Sequence, residues 1–268
     1  MSADARQGAP GILLYGLSAL AVVFLAAPLI VPIAISFSDT PFVTFPPRGF
    51  TLKWYAKILN EPEFTGSFQF SLLLATAAAA GSIVLGTLAA FALQRYRFPG
   101  RTLVQSLILS PLVFPMLVTG IALLRFFTTI GSHNALVNLV IGHMLVTMPY
   151  VVRTVTASLA LIDPNIEDAA RTLGGGPLRV FWRITRPRIM PGIVAGGLFA
   201  FVTSFDNYPI SMWLADAEHI PLPLTIFTLT ARFFDPSIAA IAALMIAFSM
   251  LIVLAIEKAT GLRKAMSV

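Results

Sequence analysis

The sequence predicts an all-α membrane protein with six transmembrane helices. Its 268 residues are 57% hydrophobic and only 11% charged, whereas about a quarter of the residues in an average soluble domain are charged. A helix needs about 20 apolar residues to cross the hydrocarbon core. Six segments of about that length contain at most one Asp, Glu, Lys or Arg each: residues 11–36, 67–94, 102–125, 134–153, 189–213 and 236–256.

The predicted spans carry signals for retention, packing and bending. The first is longer than the apolar core of a signal peptide, so we expect it to be retained. The small residues of "ATAAAAGSIVLG" in the second span and of Gly192-x-x-x-Gly196 in the fifth favour close packing, which drives helix association in lipid. Pro111 and Pro115 should bend the third span. Six thin helices with proline bends do not form a wide pore, and we expect a partner subunit.

The stretch "FTLKWYAKIL", before the second span, predicts a short helix on the outer surface. Leu52, Tyr55 and Leu59 fall on one face at helical spacing, and Trp54 and Tyr55 suit the headgroup layer. An anchoring helix without a further role is the simplest interpretation.

The distribution of basic residues predicts that the N and C termini are cytoplasmic. Six spans put both termini on one side, which would hold 13 of the 18 Lys and Arg residues, including Arg6, Arg263 and Lys264. Cytoplasmic loops of membrane proteins are enriched in Lys and Arg. The loop between the fourth and fifth spans is then cytoplasmic as well.

That cytoplasmic loop, residues 163–188, is polar and patterned, and it predicts a helix, a turn and a second helix. Asp163 is a good N-cap, and Pro164 suits the first helical position after it. Gly174 supplies the left-handed residue that commonly ends a helix.

The second helix of the loop is amphipathic. Leu178, Phe181 and Trp182 fall on one face, and nothing evident in the chain covers them. Three arginines at intervals of four and three residues lie on another face: Arg179, Arg183 and Arg186. Exposed apolar patches usually mark a docking surface. A basic amphipathic helix on anionic lipid is the alternative, and these residues alone favour neither.

The spacing of the loop resembles the "EAA" loop of binding-protein-dependent ABC transporter permeases. That pattern is an acid with two alanines, a glycine and an Ile-x-x-Pro sequence, here Asp168, Ala169, Ala170, Gly174, Ile184 and Pro187. The chain departs from it where Asp168 replaces the usual Glu and Arg186 the usual Leu. The stretches "LKWYAKILNEPEF", "ALQRYRFPGR" and "LPLTIFTLTARFFDPSIAAIAAL" are similar to the shorter permease of spermidine/putrescine-type importers.

The resemblance implies one permease domain, residues 1–268, with the ABC importer permease (MetI-like) fold in the bacterial inner membrane. In that family the amphipathic helix is a coupling helix that seats in a cleft of the cytoplasmic ATPase. The resemblance and the apolar face together assign ATPase coupling to Asp168, Ala169, Ala170, Gly174, Leu178, Phe181, Trp182, Arg183, Ile184 and Pro187.

The resemblance also implies the partners and the solute. The partners would be a second permease of a different chain, a dimer of ATP-binding subunits, an extracytoplasmic solute-binding protein and membrane lipid, with no nucleic acid. ATP and Mg²⁺ would bind to the partner ATPase, and this chain would hold no cofactor. The implied solute is a polyamine such as spermidine or putrescine. Another small solute, such as an aminophosphonate or an opine, is the alternative.

The sequence contains no motif for catalysis or metal binding. It has no cysteine, no G-x-x-x-x-G-K-[ST] and no G-x-S-x-G, and its three histidines lack the spacing of metal ligands. We therefore expect neither enzymatic activity nor a metal site.

Asp206 is the acidic residue that lies inside a predicted span. Ionisable residues at membrane depth usually face the bundle interior or water. A carboxylate with aromatic neighbours suits a cationic solute, and two aromatic residues are close in sequence: Phe205 and Trp213. We therefore expect Asp206, Asn207 and Tyr208 to line the solute pathway. A position among the outer headgroups, or a structural pair with Arg125, is the alternative.

Two other function classes are compatible with the composition. A secondary transporter or channel would work without an ATPase and should show inverted repeats or several intramembrane charges. A membrane-anchored scaffold would use its basic loop to bind lipid. Co-purification of a stoichiometric ATPase separates the importer from both.

Overall fold

The computed structural model describes the backbone of residues 8–260, and within that range the chain is helical and contains no β-strand. Side chains are described for residues 14–252 and for residue 254. The prediction of an all-α protein is confirmed. Arg6, Arg263 and Lys264, which contribute to the predicted orientation, lie outside the described residues.

The helices follow one another along the chain, with a long connection only between α1 and α2 among the described residues. A 3₁₀ turn, Ser110–Leu112, follows α4, and a π-helical turn, Phe181–Thr185, joins α8 to α9. The helices are α1 (Gly8–Ser36), α2 (Lys53–Leu59), α3 (Pro62–Arg95), α4 (Arg101–Leu109), α5 (Met116–Thr129), α6 (Ala135–Ala160), α7 (Pro164–Thr172), α8 (Pro177–Val180), α9 (Arg186–Phe205), α10 (Tyr208–Leu214), α11 (Leu222–Arg232) and α12 (Ser237–Thr260).

The chain divides into two compact units. One contains the described residues up to Glu61 together with Thr228–Met250, and the other contains Pro62–Phe227 together with the described residues from Leu251. The single permease domain stays a prediction.

In the first unit, α2 is fixed by its tryptophan. Trp54 Nε1 donates a hydrogen bond to Ser38 O at 2.7 Å, and Trp54 and Ile58 are buried. The prediction of a short helix here is confirmed, and Leu52 and Leu59 of its predicted apolar face are exposed. A buried indole N–H needs an acceptor, and the Ser38 carbonyl supplies one.

An ion pair joins α2 to the connection between α11 and α12. Lys57 Nζ lies 2.6 Å from Asp235 Oδ2 and 4.2 Å from the centre of the Phe233 ring. Partial burial alone would raise the pKa of Asp235, but hydrogen bonds from Lys57 and Ser237 and the charge of Lys57 hold it below its usual range.

The core of the second unit is formed by α3, α6 and α9. A Cβ added to Gly192 would lie 2.6 Å from Thr154 O, and one added to Gly196 would lie 2.7 Å from Val151 Cα. Only glycine fits α9 this closely against α6, so the predicted packing role of Gly192-x-x-x-Gly196 is confirmed. The buried core residues are Ala79, Ala90, Leu93, Val151, Val152, Val155, Leu159, Ile162, Ile189 and Ala200.

The third predicted span is broken at its prolines. Helices α4 and α5 meet at an angle of 110°. Pro111 lies in the 3₁₀ turn after α4, and Pro115 immediately precedes α5. Proline has no N–H to donate and its ring clashes with the preceding turn, so the α-helix stops there. The predicted bend is confirmed, and it is sharp enough to separate two helices.

Among the described residues, four helices are long and apolar enough to cross a membrane alone: Leu14–Ser36, Pro62–Arg95, Ala135–Ala160 and Pro177–Phe205. The α4–α5 pair adds a fifth if it is one broken span, and the apolar helix Ser237–Ile252 is shorter. The count of six spans and the cytoplasmic position of both termini stay predictions.

Candidate functional site

The loop of residues 163–188 starts with α7, whose first turn is capped as the sequence predicts. Asp163 Oδ1 accepts a hydrogen bond from the N–H of Asn165 at 3.0 Å, and Pro164 is the first residue of the helix.

Helix α7 ends in a Schellman motif built on Gly174. The φ angle of Gly174 is +84°, its N–H donates to Arg171 O, and the N–H of Gly175 donates to Ala170 O, both at 2.9 Å. The predicted left-handed conformation of Gly174 is confirmed. Gly175 is constrained for another reason, since an added Cβ would lie 2.6 Å from Ala170 O.

Glu167, for which no sequence pattern predicted a role, anchors α7 to the rest of the second unit. Its side chain is buried, and Oε1 lies 3.1 Å from Arg95 Nη2 at the end of α3. The same oxygen accepts a hydrogen bond from Thr185 Oγ1 at 2.9 Å. This carboxylate therefore ties together three parts of the fold: α3, α7 and the π-helical turn.

Asp168, by contrast, lies on the surface of α7. Its side chain is 64% exposed, and Oδ1 accepts a hydrogen bond from Arg171 Nη1, one turn along the same helix, at 3.1 Å. Ala169 is also exposed, and Ala170 is half-buried. The surface of α7 that carries Asp168 and Ala169 is open to a partner.

Helix α8, the π-helical turn and α9 form one helix from Pro177 to Phe205. No break therefore separates the amphipathic helix from the helix of the predicted fifth span, and the start of that span at residue 189 stays a prediction. Pro187 should interrupt an α-helix because it cannot donate to the Arg183 carbonyl. A π-helical turn immediately before it, which includes Ile184, absorbs the misfit, and the helix continues.

The side of this helix that faces away from the bundle exposes large apolar side chains. Leu178 is 74% exposed and Trp182 is 56% exposed. The guanidinium of Arg186 lies 4.8 Å from the centre of the Trp182 ring, and Arg183 is exposed beside it. Leu173, which the sequence analysis passed over, is 89% exposed at the tip of the loop. These residues form a patch that has no cover within its own unit.

Phe181 does not belong to that patch. Its ring packs edge-on against Phe91 of α3 with 5.4 Å between ring centroids, and it contacts the core of the second unit. The expectation that nothing in the chain covers Phe181 is therefore wrong. Leu178 and Trp182 carry the exposed face, and Phe181 holds the helix against its own bundle.

The second candidate region is a break in the helix at Asp206. Helix α9 ends at Phe205, and α10 starts at Tyr208. Asn207 caps α10 by accepting a hydrogen bond from the N–H of Ile210 at its Oδ1, 3.0 Å away. Asn207 is buried, and its Nδ2 has no hydrogen-bond partner among the described residues.

The Asp206 side chain is exposed and has no ion-pair partner in the part of the chain that is described. The alternative of a structural pair with Arg125 is thus not observed. Phe205 is buried against Phe201, with 5.9 Å between ring centroids, so the expectation that its ring meets a cation is wrong. Tyr208, half-buried, packs with Phe227 at 5.4 Å.

The two regions lie at opposite ends of one helix, about 36 Å apart at 1.5 Å per residue. Among the side chains that the structure describes, no group of three His, Asp or Glu residues could hold a metal ion. A helical bundle alone would suit a channel or a secondary carrier. The exposed apolar end of the loop, however, is typical of a docking surface, as expected for the transmembrane subunit of a transporter with several components.

Comparison with known proteins identifies that class. The chain belongs to the family of binding-protein-dependent transport system inner membrane components, whose sequence profile matches residues 82–262. It is 32% identical over 234 residues to the putrescine transport system permease protein PotI of Escherichia coli K12, covering 85% of this chain and 83% of the relative. It is 30% identical to the spermidine/putrescine transport system permease protein PotC of the same strain, covering 87% and 88%.

The fold is also found in a solved structure. A bacterial ABC transporter involved in the import of the acidic polysaccharide alginate matches with a TM-score of 0.72 and 18% identity, covering 97% of this chain and 98% of that chain. At this identity, the likeness establishes the fold. Family and relatives together make the chain a multi-pass permease subunit of an ABC importer, without catalysis of its own, since ATP hydrolysis belongs to a separate subunit.

Proposed function

We propose that this permease imports a polyamine such as putrescine or spermidine. It works with a second, different permease, a dimer of ATPases and an extracytoplasmic solute-binding protein. Its membrane is the bacterial inner membrane, with both termini in the cytoplasm. ATP and Mg²⁺ bind in the ATPase subunits, and this chain holds no cofactor.

The observation that carries the solute class is the exposed, unpaired carboxylate of Asp206 at a helix break. An uncompensated charge in an apolar span is expensive, and such residues usually serve transport. A polyamine supplies the missing positive charge. The names of two relatives, which describe putrescine and spermidine/putrescine permeases, point to the same class.

Coupling to the ATPase rests on the patch at the other end of the helix. Leu178 and Trp182 project from a helix that Glu167, Arg95 and Thr185 hold in place. An aromatic side chain beside basic ones, which a partner would bury on docking, is typical of an interface hot spot. Helix α8 continues into α9, which ends next to Asp206. If the ATPase moved the patch that is docked to it, the whole helix would move, including the end beside Asp206.

The test compares Asp206→Asn with the matched control Asp216→Asn. Asp216 is exposed in the connection between α10 and α11 and bonds to His219, so its loss should leave transport intact. Uptake of labelled putrescine and spermidine is measured in proteoliposomes that contain the whole complex and the binding protein. We expect Asp206→Asn to lower uptake about tenfold or more, because a charge-assisted contact worth roughly 1.5–3 kcal/mol is lost.

ATPase content and basal ATP hydrolysis should not change in either variant. Wild-type uptake by Asp206→Asn would remove Asp206 from the pathway. A native complex that transports another solute but neither polyamine would contradict the solute class.

A further inference from the structure

His143 lies in the first half of α6, fully buried, and bridges the break in the neighbouring helix. Its Nδ1 is 2.8 Å from Ser204 Oγ in the last turn of α9. Its Nε2 is 3.2 Å from Ser211 Oγ in α10. One imidazole therefore contacts both helices, one on each side of Asp206.

The hydrogen bonds of Ser211 determine which nitrogen of His143 carries the proton. Ser211 Oγ donates its hydrogen to Asn207 O at 2.5 Å. A hydroxyl has one hydrogen, so Ser211 must accept from His143, and Nε2 is protonated. Nδ1 is then bare and accepts from the Ser204 hydroxyl. A neutral imidazole satisfies both serines, which avoids the cost of burying a charge.

The same chain of hydrogen bonds fixes the residue that follows Asp206. The carbonyl of Asn207 accepts from Ser211, and the Asn207 side chain caps α10 through Ile210. The Asp206 carboxylate has no side-chain partner of its own among the described residues. Its position is therefore set by the backbone around it.

Helix α6 also makes polar and apolar contacts that do not involve His143. Thr147, one turn from His143, makes a hydrogen bond of 2.8 Å with Ser82 of α3, and both are fully buried. On the other side of the bridge, Ile210 and Leu214 of α10 pack in a core cluster with Leu139 of α6.

We propose that His143 is a positioning residue: a neutral clamp that ties the α9–α10 break to α6 and thereby fixes the Asp206 carboxylate in the solute pathway. The clamp itself follows from the hydrogen bonds. Its effect on transport rests on the proposed role of Asp206.

Three substitutions separate a clamp from a side chain that only fills space. His143→Leu keeps an apolar volume and removes both hydrogen bonds. His143→Gln offers one acceptor and one donor, as the neutral imidazole does. Ser82→Ala is the matched control, because it removes a buried hydrogen bond to α6 without touching the break.

The first measurement is hydrogen–deuterium exchange of residues 203–214 in the whole complex. We expect exchange there to accelerate about tenfold in His143→Leu, the factor that corresponds to roughly 1.4 kcal/mol. It should rise less in His143→Gln and stay at the native rate in Ser82→Ala. Native exchange in His143→Leu would refute the clamp. If His143→Leu does not assemble, the exchange rate of Ser204→Ala decides instead, because this variant removes the bond between His143 and α9.

The second measurement is a double-mutant cycle on polyamine uptake. If His143 acts through Asp206, His143→Leu lowers uptake about tenfold in the native chain but less than about twofold in the Asp206→Asn background. Equal losses in both backgrounds would refute the positioning role. Native uptake by Asp206→Asn together with faster exchange in His143→Leu would instead contradict the proposed pathway and leave the clamp intact.

Discussion

Glu167 is buried at the base of the coupling loop and shares one oxygen between Arg95 and Thr185. Removing one partner of a buried ion pair leaves the other charge uncompensated, at a cost of about 3–5 kcal/mol. Arg95 belongs to the end of α3, so this pair holds the loop to the bundle rather than to the membrane surface. Asp168, which is exposed and pairs only with Arg171 of its own helix, takes no part in this contact with the bundle.

Trp182 and Phe181 are adjacent aromatic residues with opposite surroundings, and we predict opposite effects of their removal. Trp182→Ala deletes an exposed anchor, so the ATPase should co-purify less, with a loss of about 2 kcal/mol or roughly 30-fold in affinity. Thermal stability of the permease should not change. Phe181→Ala removes a side chain packed against Phe91 and should destabilise the permease itself by about 3 kcal/mol.

The control for this pair is Phe199→Ala. Phe199 is also more than half exposed, but it lies in the middle of α9, away from the loop. It should leave co-purification of the ATPase unchanged. Equal ATPase content in the Trp182→Ala and native complexes would show that the patch is not the docking surface.

The difference between these two residues could not be predicted from sequence. Helical spacing places Phe181 and Trp182 near one another, but Phe91 lies in another span, and only the fold brings it to Phe181. The same holds for Glu167, because its partner Arg95 lies in α3 and its partner Thr185 lies in the π-helical turn. Asp168, the adjacent acidic residue, matches the spacing of the EAA pattern, so no sequence pattern favoured Glu167 as the buried one.

At the scale of elements, signals within a few residues predicted helix ends well. Asp163 caps α7 and Gly174 ends it, because each satisfies backbone groups that the helix itself leaves unpaired. The continuity of the helix from α8 into α9 could not be predicted in the same way. Pro187 is a strong local signal to stop, but the π-helical turn and the buried contact of Thr185 carry the helix through.

The Schellman turn gives a prediction about the angle between α7 and α8. Gly174→Val places a β-branched residue at a φ of +84°, which costs about 1–2 kcal/mol, so the turn should distort and uptake should fall. Gly174→Asn should retain most uptake, because Asn tolerates the left-handed region. Uptake and ATPase co-purification are measured in parallel, with membrane insertion as a check on folding.

Gly176→Ala is the control for that turn. Gly176 has a φ of −65° and open space where a Cβ would lie, so it should behave as the native chain. If Gly174→Val also transports at the native rate, the turn does not set the position of the coupling helix.

At the scale of the whole chain, one contact constrains the topology. The ion pair of Arg95 and Glu167 puts the α3–α4 and α6–α7 connections on the same side. Helix α6 has 26 residues, or about 39 Å, which exceeds the roughly 30 Å hydrocarbon core. The α5–α6 connection is then on the other side. We therefore expect the bent pair α4–α5 to cross the membrane as one broken span rather than to form a re-entrant loop.

Single introduced cysteines test this topology without background labelling, because the native chain contains no cysteine. We predict that a membrane-impermeant thiol reagent labels His133→Cys in right-side-out vesicles, whereas Arg97→Cys and Leu173→Cys are labelled only in inverted vesicles. All three residues are exposed, so access differs only by side. Labelling of His133→Cys from the same side as Arg97→Cys would make α4–α5 a re-entrant loop and reduce the number of spans by one. The two termini would then lie on opposite sides, and the loop that carries Trp182 would lose the orientation on which ATPase docking depends.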